Sequence, residues 1–302
     1  MKLGRLTTLA VILSIRSAHA EGPLNRVFKG DFGDGKPTGS ALRVVNWNID
    51  RGAHLVKIIA ALRAQEPDVV LLQEVDLNAR RSKGVDVAAV IAKELGMNYV
   101  FAPEFEELSQ TIDADRPALH GQAILSRVPF RNARIIHFET QSKFWEPRRY
   151  VPKWPIFQRR IGGRIALVAE FDLSGKRVVV YDLHLESRGF GATRTAQLEQ
   201  VFRDAKYYPE GTTIIAGGDL NSMYGPLRAR LRFESEGYES CFGDRKIRTH
   251  IVFGYLDWLF VKGPSACDSA RVIRGTHASD HDPLTAKVTV GVVRSSLARP
   301  GL

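Results

Sequence analysis

The chain alternates between short runs of apolar, mostly β-branched residues and stretches in which apolar residues stand three and four positions apart. The short runs, bounded by Gly, Pro, Asn or Asp, are typical of buried strands. We predict strands over residues 42–47, 68–72, 98–102, 121–126, 133–138, 164–171, 177–185, 212–216, 256–261, 270–274 and 283–290. The three-and-four spacing predicts helices over residues 54–65, 85–95 and 193–206.

The excess of strands over helices indicates the architecture. A purely parallel sheet needs a crossover helix for nearly every strand, and the predicted helices are too few. Ser174 and Gly175 join two neighbouring strands, which favours a hairpin. We therefore predict an α/β fold, a four-layer sandwich in which two mixed β-sheets stack face to face and helices cover the outside. No repeat or linker divides residues 41–292, so one domain is expected, with residues 145–158 as its longest loop.

The two ends of the chain differ from this pattern. Lys2 and Arg5 precede an apolar run, and Ala18 and Ala20 form a small-x-small cleavage pattern, so residues 1–20 are predicted to be a signal peptide. The alternative is a frayed apolar N-terminus. The run is too short for a membrane span, and a secreted or periplasmic protein is expected. Residues 21–40 are predicted to be a linker or N-terminal arm and residues 293–302 a frayed tail.

The chain is basic, with 43 Lys and Arg against 33 Asp and Glu and a formal net charge of +10. This excess favours polyanionic partners such as nucleic acid, anionic lipid surfaces or phosphorylated small molecules, and charge alone does not choose among them. A basic surface is also a common aid to solubility. The two cysteines, Cys241 and Cys267, would form a bridge in an exported protein; two buried free thiols are the alternative.

Polar side chains stand where several predicted strands end. Asn48 follows one apolar run, Glu74 the next, and His184 ends a third. Open α/β sheets collect catalytic groups at such strand ends. Each residue alone has a structural reading: a turn-capping Asn, a structural strand His, or a Glu paired elsewhere. Glu74 is a candidate ligand for Mg²⁺ or Mn²⁺, which prefer oxygen donors.

Two later segments are more specific. In Gly217-Gly218-Asp219-Leu220-Asn221 the glycines permit a tight turn, and Asp219 and Asn221 would orient or deprotonate a water. A buried Asp257 calls for a partner, and His281 is the natural one, because an Asp–His pair orients the imidazole and favours its protonated form. Asp280 would then face a metal.

Six short motifs, in order, resemble the endonuclease/exonuclease/phosphatase superfamily, which has the deoxyribonuclease-I-like fold. They are Asn-Trp-Asn at 46–48, Leu-Gln-Glu at 72–74, Leu-His-Leu-Glu-Ser at 183–187, Gly-Asp-Leu-Asn at 218–221, Leu-Asp-Trp at 256–258 and Ser-Asp-His at 279–281. Each is weak alone, but six in the family's order and approximate spacing make a strong signal over residues 40–292.

The resemblance implies a two-sheet sandwich that hydrolyses phosphoesters with Mg²⁺, or with Mn²⁺ or Ca²⁺. It implies that Glu74 and Asp280 handle the metal with support from Asn48. The roles implied for the other residues are activation of water by Asp219 with help from Asn221, stabilisation of the phosphoryl oxygens by His184 and His281, and orientation of His281 by Asp257. Gln122 stands where relatives often carry Asn, on the substrate side.

The substrate is left open by the sequence. Residues 143–164 interleave basic and aromatic side chains, which suits nucleic acid, a lipid headgroup interface, or a solvated loop held by its own aromatics. Arg148, Arg149 and Arg164 are the predicted substrate-binding cations. We predict a secreted, monomeric phosphodiesterase or nuclease. The alternatives are a sphingomyelinase-like or inositol-phosphate-type phosphatase of the same fold, or a non-catalytic polyanion-binding protein.

Other catalytic motifs are missing from the sequence, which has neither a Gly-x-Ser-x-Gly elbow nor a His-Glu-x-x-His. His277 and His281 are four residues apart, a spacing that binds zinc on a helix. Gly275, Ser279 and Pro283 flank them and argue against a helix there, and so against a zinc site.

Overall fold

Two β-sheets form the centre of the protein. The computed structural model describes residues 22–33, 39–146, 150, 152, 154–188, 191–223 and 226–292. The strands are β1 Phe28–Gly30, β2 Ala41–Asn48, β3 Val69–Leu77, β4 Asn98–Glu106, β5 Leu119–Ser126, β6 Phe130–His137, β7 Ile161–Gly162, β8 Ile165–Leu173, β9 Lys176–His184, β10 Thr213–Asp219, β11 Glu239–Ser240, β12 Asp257–Lys262, β13 Ser265–Val272 and β14 Leu284–Val290. The α-helices are α1 Leu55–Gln65, α2 Val87–Leu95, α3 Gly191–Ala205 and α4 Pro226–Ser235.

Both sheets are mixed, as the strand excess predicted. The first has the order β1-β4-β5-β3-β2-β14-β13, with β7 paired to β4, and the second has the order β11-β12-β10-β9-β8-β6. Among these pairs only β2–β3 and β9–β10 are parallel, one in each sheet. Their carboxyl ends are therefore the places where side chains from two neighbouring strands can meet.

Three apolar clusters separate four layers. One cluster lies between the sheets and includes Leu42 of β2 and Val180 of β9. A second joins the outer face of the first sheet to α1 and α2, and a third joins the outer face of the second sheet to α3 and α4. The four-layer sandwich is therefore confirmed.

The helix boundaries follow local chemistry. Asp86 caps α2 by accepting a hydrogen bond from the backbone N–H of Ala89, and Gly96 ends the helix in the left-handed conformation. The fourth helix, α4, has no counterpart among the predicted elements. Its Leu227 and Leu231 are at least half exposed while Phe233 is buried, so its apolar residues make a weak stripe.

Residues 21–40 are only partly as predicted. Phe28–Gly30 is an edge strand that pairs antiparallel with β4, so the expected linker or arm contributes to the first sheet. Backbone pairing holds this strand in place, and three residues are too few to show an apolar periodicity. The sequence pattern therefore did not predict it. The predicted signal peptide and tail lie outside the described residues. Cys241 and Cys267 are joined by a disulfide, with a Cα–Cα distance of 5.2 Å. Among the described residues, every helix is too short or too polar to cross a bilayer.

Candidate active site

The row of side chains between the two sheets changes from apolar to polar toward one edge. On β2, Leu42 and Val44 pack between the sheets, and Asn46 and Asn48 continue the same row. Alternation along a strand puts every second side chain on one face. The change from apolar to polar side chains on this face can therefore be seen in the sequence. The row ends in polar side chains on the neighbouring strands as well: Gln73, Asp182, His184, Asp219 and Asp257.

Strand direction brings these ends together. β2 and β3 run parallel, as do β9 and β10, so their carboxyl ends share one edge of the sandwich. β12 runs the opposite way, and its first residue, Asp257, pairs with the last residue of β10, Asp219. As the first residue of β12, Asp257 therefore lies at this edge of the sandwich.

Asp219 lies at the centre of the resulting cluster and is almost fully buried. Its Oδ1 accepts a hydrogen bond from the backbone N–H of Asn221 at 2.9 Å. Its Oδ2 accepts one from the Asn48 amide at 3.2 Å. The Nε2 atoms of His184 and His281 each lie 3.8 Å from the same oxygen. One carboxylate oxygen thus faces an amide and two imidazoles from both sheets.

His281 and Asp257 form the predicted pair. The His281 Nδ1 lies 2.8 Å from Asp257 Oδ2, and both side chains are buried. Burial opposes the charged imidazole, but Asp257, then Asp219 and Asp280, outweigh it and raise the pKa of His281 to about 10. His281 is therefore an imidazolium at neutral pH, with its Nε2–H on the side of Asp219.

His184 is held by two residues on its other side. Arg164 lies 2.8 Å from His184 Nδ1 and 2.7 Å from Glu104 Oε2, and Glu104 Oε1 lies 3.2 Å from the same Nδ1. These two contacts to Nδ1 fix the orientation of the ring, so that Nε2 faces Asp219. Burial raises the pKa of Glu104, but His184 and Arg164 outweigh it and lower that pKa overall. Glu104 is thus an anion that anchors the pair.

Glu104 was missed by the sequence analysis. It follows Pro103 near the end of β4, where the register against β5 shifts, and it is almost fully buried. A carboxylate in a continuous strand needs a partner, which was the only available signal. Its partner, Arg164, is sixty positions away in sequence. Arg164, predicted to bind substrate, is itself buried among these contacts and positions His184.

Glu74 sits at an irregularity of β3. The pairing of β3 with β5 shifts between Leu72 and Val75, and Glu74 adopts a left-handed φ of 54°. The Asn48 amide lies 3.4 Å from Glu74 Oε1, and Arg51 lies 3.8 Å from Oε2. Burial opposes ionisation, but nearby histidines and arginines outweigh it and lower the pKa of Glu74. The carboxylate is therefore ionised and lies next to Asn48.

Asp280 lies on the other side of His281. Its carboxylate is half exposed, and its Oδ2 lies 3.3 Å from Nε2 of His250. The Ser279 hydroxyl lies 3.3 Å from its Oδ1 and 2.8 Å from the Asn48 carbonyl oxygen. His250, in the segment between β11 and β12, had not been predicted as a site residue.

The donor set fits a hard divalent cation. Glu74, Asp219 and Asp280 offer carboxylate oxygens within one cluster of contacts that runs through Asn48 and Ser279. In two groups of three residues, one possible ligand atom from each residue lies within 4.8 Å of the other two: Asp219, Asp257 and His281, and His250, Asp280 and His281. Both groups share His281, whose Nδ1 is already used by Asp257. Carboxylates therefore carry most of the metal-binding capacity.

A second polar layer lies behind the site. The Gln73 amide donates to Asn46 Oδ1 at 2.9 Å and to Asp182 Oδ1 at 2.6 Å, which links β3 to β2 and, across the sheets, to β9. Complete burial raises the pKa of Asp182 well above its ordinary value. The layer joins the sheets immediately below the charged cluster, and it too was not predicted.

Three predicted substrate-binding residues have other positions or are not described. Gln122 is fully buried on the inner face of β5, and neither amide atom has a hydrogen-bond partner among the described residues. It therefore offers no exposed amide to a substrate, because the second sheet covers this face of β5. Arg148 and Arg149 lie outside the described residues.

Asn221 donates its amide to the Leu185 carbonyl oxygen and so holds the turn after β10.

The sequence model of the Endonuclease/Exonuclease/phosphatase family matches residues 45–281. The chain belongs to this family. The match begins within β2 and ends at His281, so it includes the whole cluster around Asp219. Members of the family are generally hydrolytic phosphoesterases. No curated protein matches the chain closely enough to count as a relative.

Solved structures share the fold at low sequence identity. An endonuclease/exonuclease/phosphatase from Beutenbergia cavernae DSM 12333 has a TM-score of 0.61 and 20% identity, covering 83% of this chain and 72% of that one. A family protein from Bacteroides vulgatus has a TM-score of 0.61 and 15% identity, covering 83% and 99%. D. rerio TDP2 complexed with single strand DNA product has a TM-score of 0.57 and 18% identity, covering 82% and 99%. These similarities show the fold.

Proposed function

We propose that the chain is a divalent-metal-dependent phosphodiesterase that hydrolyses its substrate by in-line attack of water. The observation that carries this proposal is the surrounding of Asp219 Oδ2 by Asn48 and by two imidazole Nε2 atoms. A carboxylate between two N–H donors can accept a proton from water while the donors face the phosphate. Family membership supports the reaction class.

The site residues have distinct roles in a single displacement at phosphorus. Asp219 takes a proton from water as the water oxygen forms a bond to phosphorus and the opposite ester bond breaks. His281, held protonated by Asp257, and His184, held by Arg164, donate to the phosphoryl oxygens as negative charge develops. A divalent cation held by Glu74 and Asp280 with support from Asn48 would neutralise charge on the phosphate and on the leaving oxygen.

The proposal is tested with Asp219→Asn on bis-p-nitrophenyl phosphate in the presence of Mg²⁺ or Mn²⁺. The amide keeps the shape and can still accept from the Asn221 N–H, but it cannot take the proton. We expect kcat to fall by about 10²–10⁴-fold with a melting temperature close to that of the wild type. Asp172→Asn, an exposed carboxylate of β8 paired with Arg131, is the matched control and should retain full activity.

Retained activity in Asp219→Asn would remove Asp219 from its role. A wild-type protein that turns over no phosphodiester with any divalent ion would favour the alternative, a polyanion-binding protein on this scaffold. Loss of activity in both variants would point to a folding defect, which circular dichroism would detect.

Nucleic acid is the first substrate we propose. The chain is basic, and the similar D. rerio TDP2 structure holds a single strand DNA product. Cleavage of single-stranded DNA, duplex DNA and RNA should be compared at 50 and 200 mM salt. Recognition through phosphate contacts predicts a steep loss of affinity with salt, by orders of magnitude over this range. Cleavage that is insensitive to salt would oppose it.

A phospholipid headgroup is the second candidate, favoured by two exposed apolar segments. Ile251, Val252 and Phe253 follow His250, and each is at least half exposed. Trp154, Ile156 and Phe157 are exposed to a similar degree in the loop that follows Ser142, whose N–H contacts Glu186 beside the site. Exposed aromatic and aliphatic side chains on a basic protein suit a lipid surface.

The two candidates are separated by one double substitution. Ile251→Ser with Val252→Ser should lower hydrolysis of sphingomyelin vesicles and leave hydrolysis of bis-p-nitrophenyl phosphate unchanged if lipid is the substrate. Equal activity on vesicles would exclude a role for this segment in lipid binding. We also propose that the protein is exported and monomeric; the disulfide supports an oxidising compartment.

A further inference from the structure

His250 contacts the site from a segment that the proposed mechanism does not use. Its side chain is almost fully buried, and its Nε2 lies 3.3 Å from Asp280 Oδ2. Its ring packs edge-on against His281, with centroids 4.7 Å apart and planes at 87°. The backbone of residue 250 also forms a β-bridge with residue 281. His250 thus contacts both Asp280 and His281 of the Ser-Asp-His motif.

The protonation of the His250 ring follows from its other contacts. Its Nδ1 accepts hydrogen bonds from the backbone N–H groups of Val252 and Phe253, each at 2.9 Å. A nitrogen that accepts carries no proton, so in the neutral ring the proton is on Nε2. The Nε2–H therefore points to the Asp280 carboxylate as a donor. Ligation of a metal by Nε2 would require moving this proton to Nδ1, at the expense of both backbone hydrogen bonds.

Among the described residues, Asp280 has few other donors that can fix its orientation. Its carboxylate is half exposed. The Ser279 hydroxyl has one hydrogen, and the Asn48 carbonyl oxygen at 2.8 Å competes for it against Asp280 Oδ1 at 3.3 Å. The His250 Nε2–H is thus the donor that settles the position of this carboxylate.

We propose that His250 is a positioning residue: it holds the Asp280 carboxylate in the orientation needed for metal binding. The proposal rests on the proposed function. Carboxylates and imidazoles held by a second layer of hydrogen bonds are the usual arrangement around catalytic metals, and loss of such a partner costs about 10–100-fold in metal affinity or activity.

Two substitutions of His250 distinguish the hydrogen bonds of Nδ1 from that of Nε2. In His250→Asn the amide oxygen occupies the place of Nδ1 and can accept from the segment that follows, but nothing reaches Asp280. In His250→Gln the longer amide places its NH₂ near the position of Nε2 and can donate to Asp280, while the acceptor for the backbone is lost. His277→Asn, at an exposed histidine of the same segment as Asp280, controls for loss of an imidazole.

The readouts are Mn²⁺ affinity by titration calorimetry and kcat/KM on bis-p-nitrophenyl phosphate. We expect His250→Asn to weaken both by about 10–100-fold, His250→Gln to recover both to within about threefold of the wild type, and His277→Asn to match the wild type. In an Asp280→Ala background, His250→Asn should have no further effect, because its action passes through Asp280.

Wild-type values for His250→Asn, or equal impairment of His250→Gln, would overturn the proposal, as would a further loss in the Asp280→Ala background. A wild type that binds Mn²⁺ without hydrolysing a phosphodiester would refute the proposed function, and the affinities of the two variants would still decide the role of His250. If the wild type binds no Mn²⁺, crystal structures decide it: we expect an Asp280 carboxylate that is displaced in His250→Asn and retained in His250→Gln, and the reverse would refute the role.

Discussion

Asp257→Asn should reveal how much the buried Asp257–His281 pair stabilises the metal-free protein. The substitution keeps the shape of the side chain and an oxygen that can accept from His281 Nδ1, now 2.8 Å from a carboxylate oxygen. It removes the negative charge that holds the proton on the ring. His281 would then keep only Asp219, 3.8 Å from its Nε2, and Asp280 as acidic neighbours.

The magnitude follows from the shifted pKa. A rise in the pKa of His281 from 6.5 to about 10 corresponds to about 5 kcal/mol, at about 1.4 kcal/mol per pKa unit. Asp257 makes the largest favourable contribution to this shift. Removing one partner of a buried ion pair typically costs about 3–5 kcal/mol, and we expect a loss in that range at pH 6.

The direction in which stability changes with pH follows from the raised pKa of His281. The folded-state pKa of His281 lies above its unfolded value, so the stabilisation by the protonated ring is complete below pH 6.5 and is lost as the pH rises through about 10. The difference in free energy of unfolding between wild type and Asp257→Asn should therefore shrink from pH 6.5 to pH 10. Above that, a buried carboxylate without its imidazolium destabilises the wild type, and the order of the two proteins can reverse.

The assay is guanidinium denaturation followed by tryptophan fluorescence at pH 6 to 10, with a chelator present and the disulfide intact. Asp172→Asn, whose exposed pair with Arg131 should contribute at most about 1 kcal/mol, is the control for a carboxylate-to-amide change. A difference between wild type and Asp257→Asn that is the same at every pH would refute the reasoning, because it would show that the pair is not an ion pair.

Three further predictions concern the scaffold. Gly218→Ala should cost roughly 3 kcal/mol or more, because φ is +140° and a Cβ would overlap a carbonyl oxygen of the neighbouring strand; Gly211→Ala, with φ +87° and open space, should cost only about 1–2 kcal/mol. Replacing Cys241 and Cys267 by Ser, across a separation of 26 residues, should cost about 3 kcal/mol in chemical denaturation. Glu104→Gln leaves a buried guanidinium without its carboxylate and should cost about 3–5 kcal/mol and lower kcat. An unchanged melting temperature in Gly218→Ala, the Cys double variant or Glu104→Gln contradicts the corresponding argument.

The regular elements and their layers follow from periodicity alone. Each of the predicted strands and helices has a counterpart within a few residues. Buried strands and amphipathic helices have characteristic spacings of apolar residues, and these can be recognised from neighbouring residues alone. The elements that the sequence did not predict lack a clear apolar periodicity. β1, β7 and β11 are only two or three residues long and are fixed by pairing, and α4 buries little of its apolar surface.

The main polar positions of the site could also be found in the sequence. Asn48, His184 and Asp219 end apolar strands, and strand ends of a mixed sheet converge at an edge. The Asp257–His281 pair was predicted because a buried carboxylate needs a partner and an imidazole was available. Here the local pattern and the chemistry of single residues were sufficient.

The supporting residues depend on contacts between distant parts of the chain. Glu104, Asp182 and Gln73 look like ordinary strand residues, and their function arises from the packing of one sheet on the other. His250 carries no local signal, and only the approach of its segment to the Ser-Asp-His motif gives it a partner. Likewise, Gln122 and Arg164 were expected to contact substrate, but stacking of the sheets buries both.

The sequence by itself determined which residues are strands and helices, which face of each strand is buried, and where the polar row begins, since these are properties of neighbouring residues. The tertiary structure decided which acids remain ionised. Glu74 and Glu104 lie near arginines and histidines that lower their pKa, while burial raises the pKa of Asp182 well above its ordinary value. The physical reason is that ionisation depends on burial and on the distances to other charges, which only the folded chain fixes.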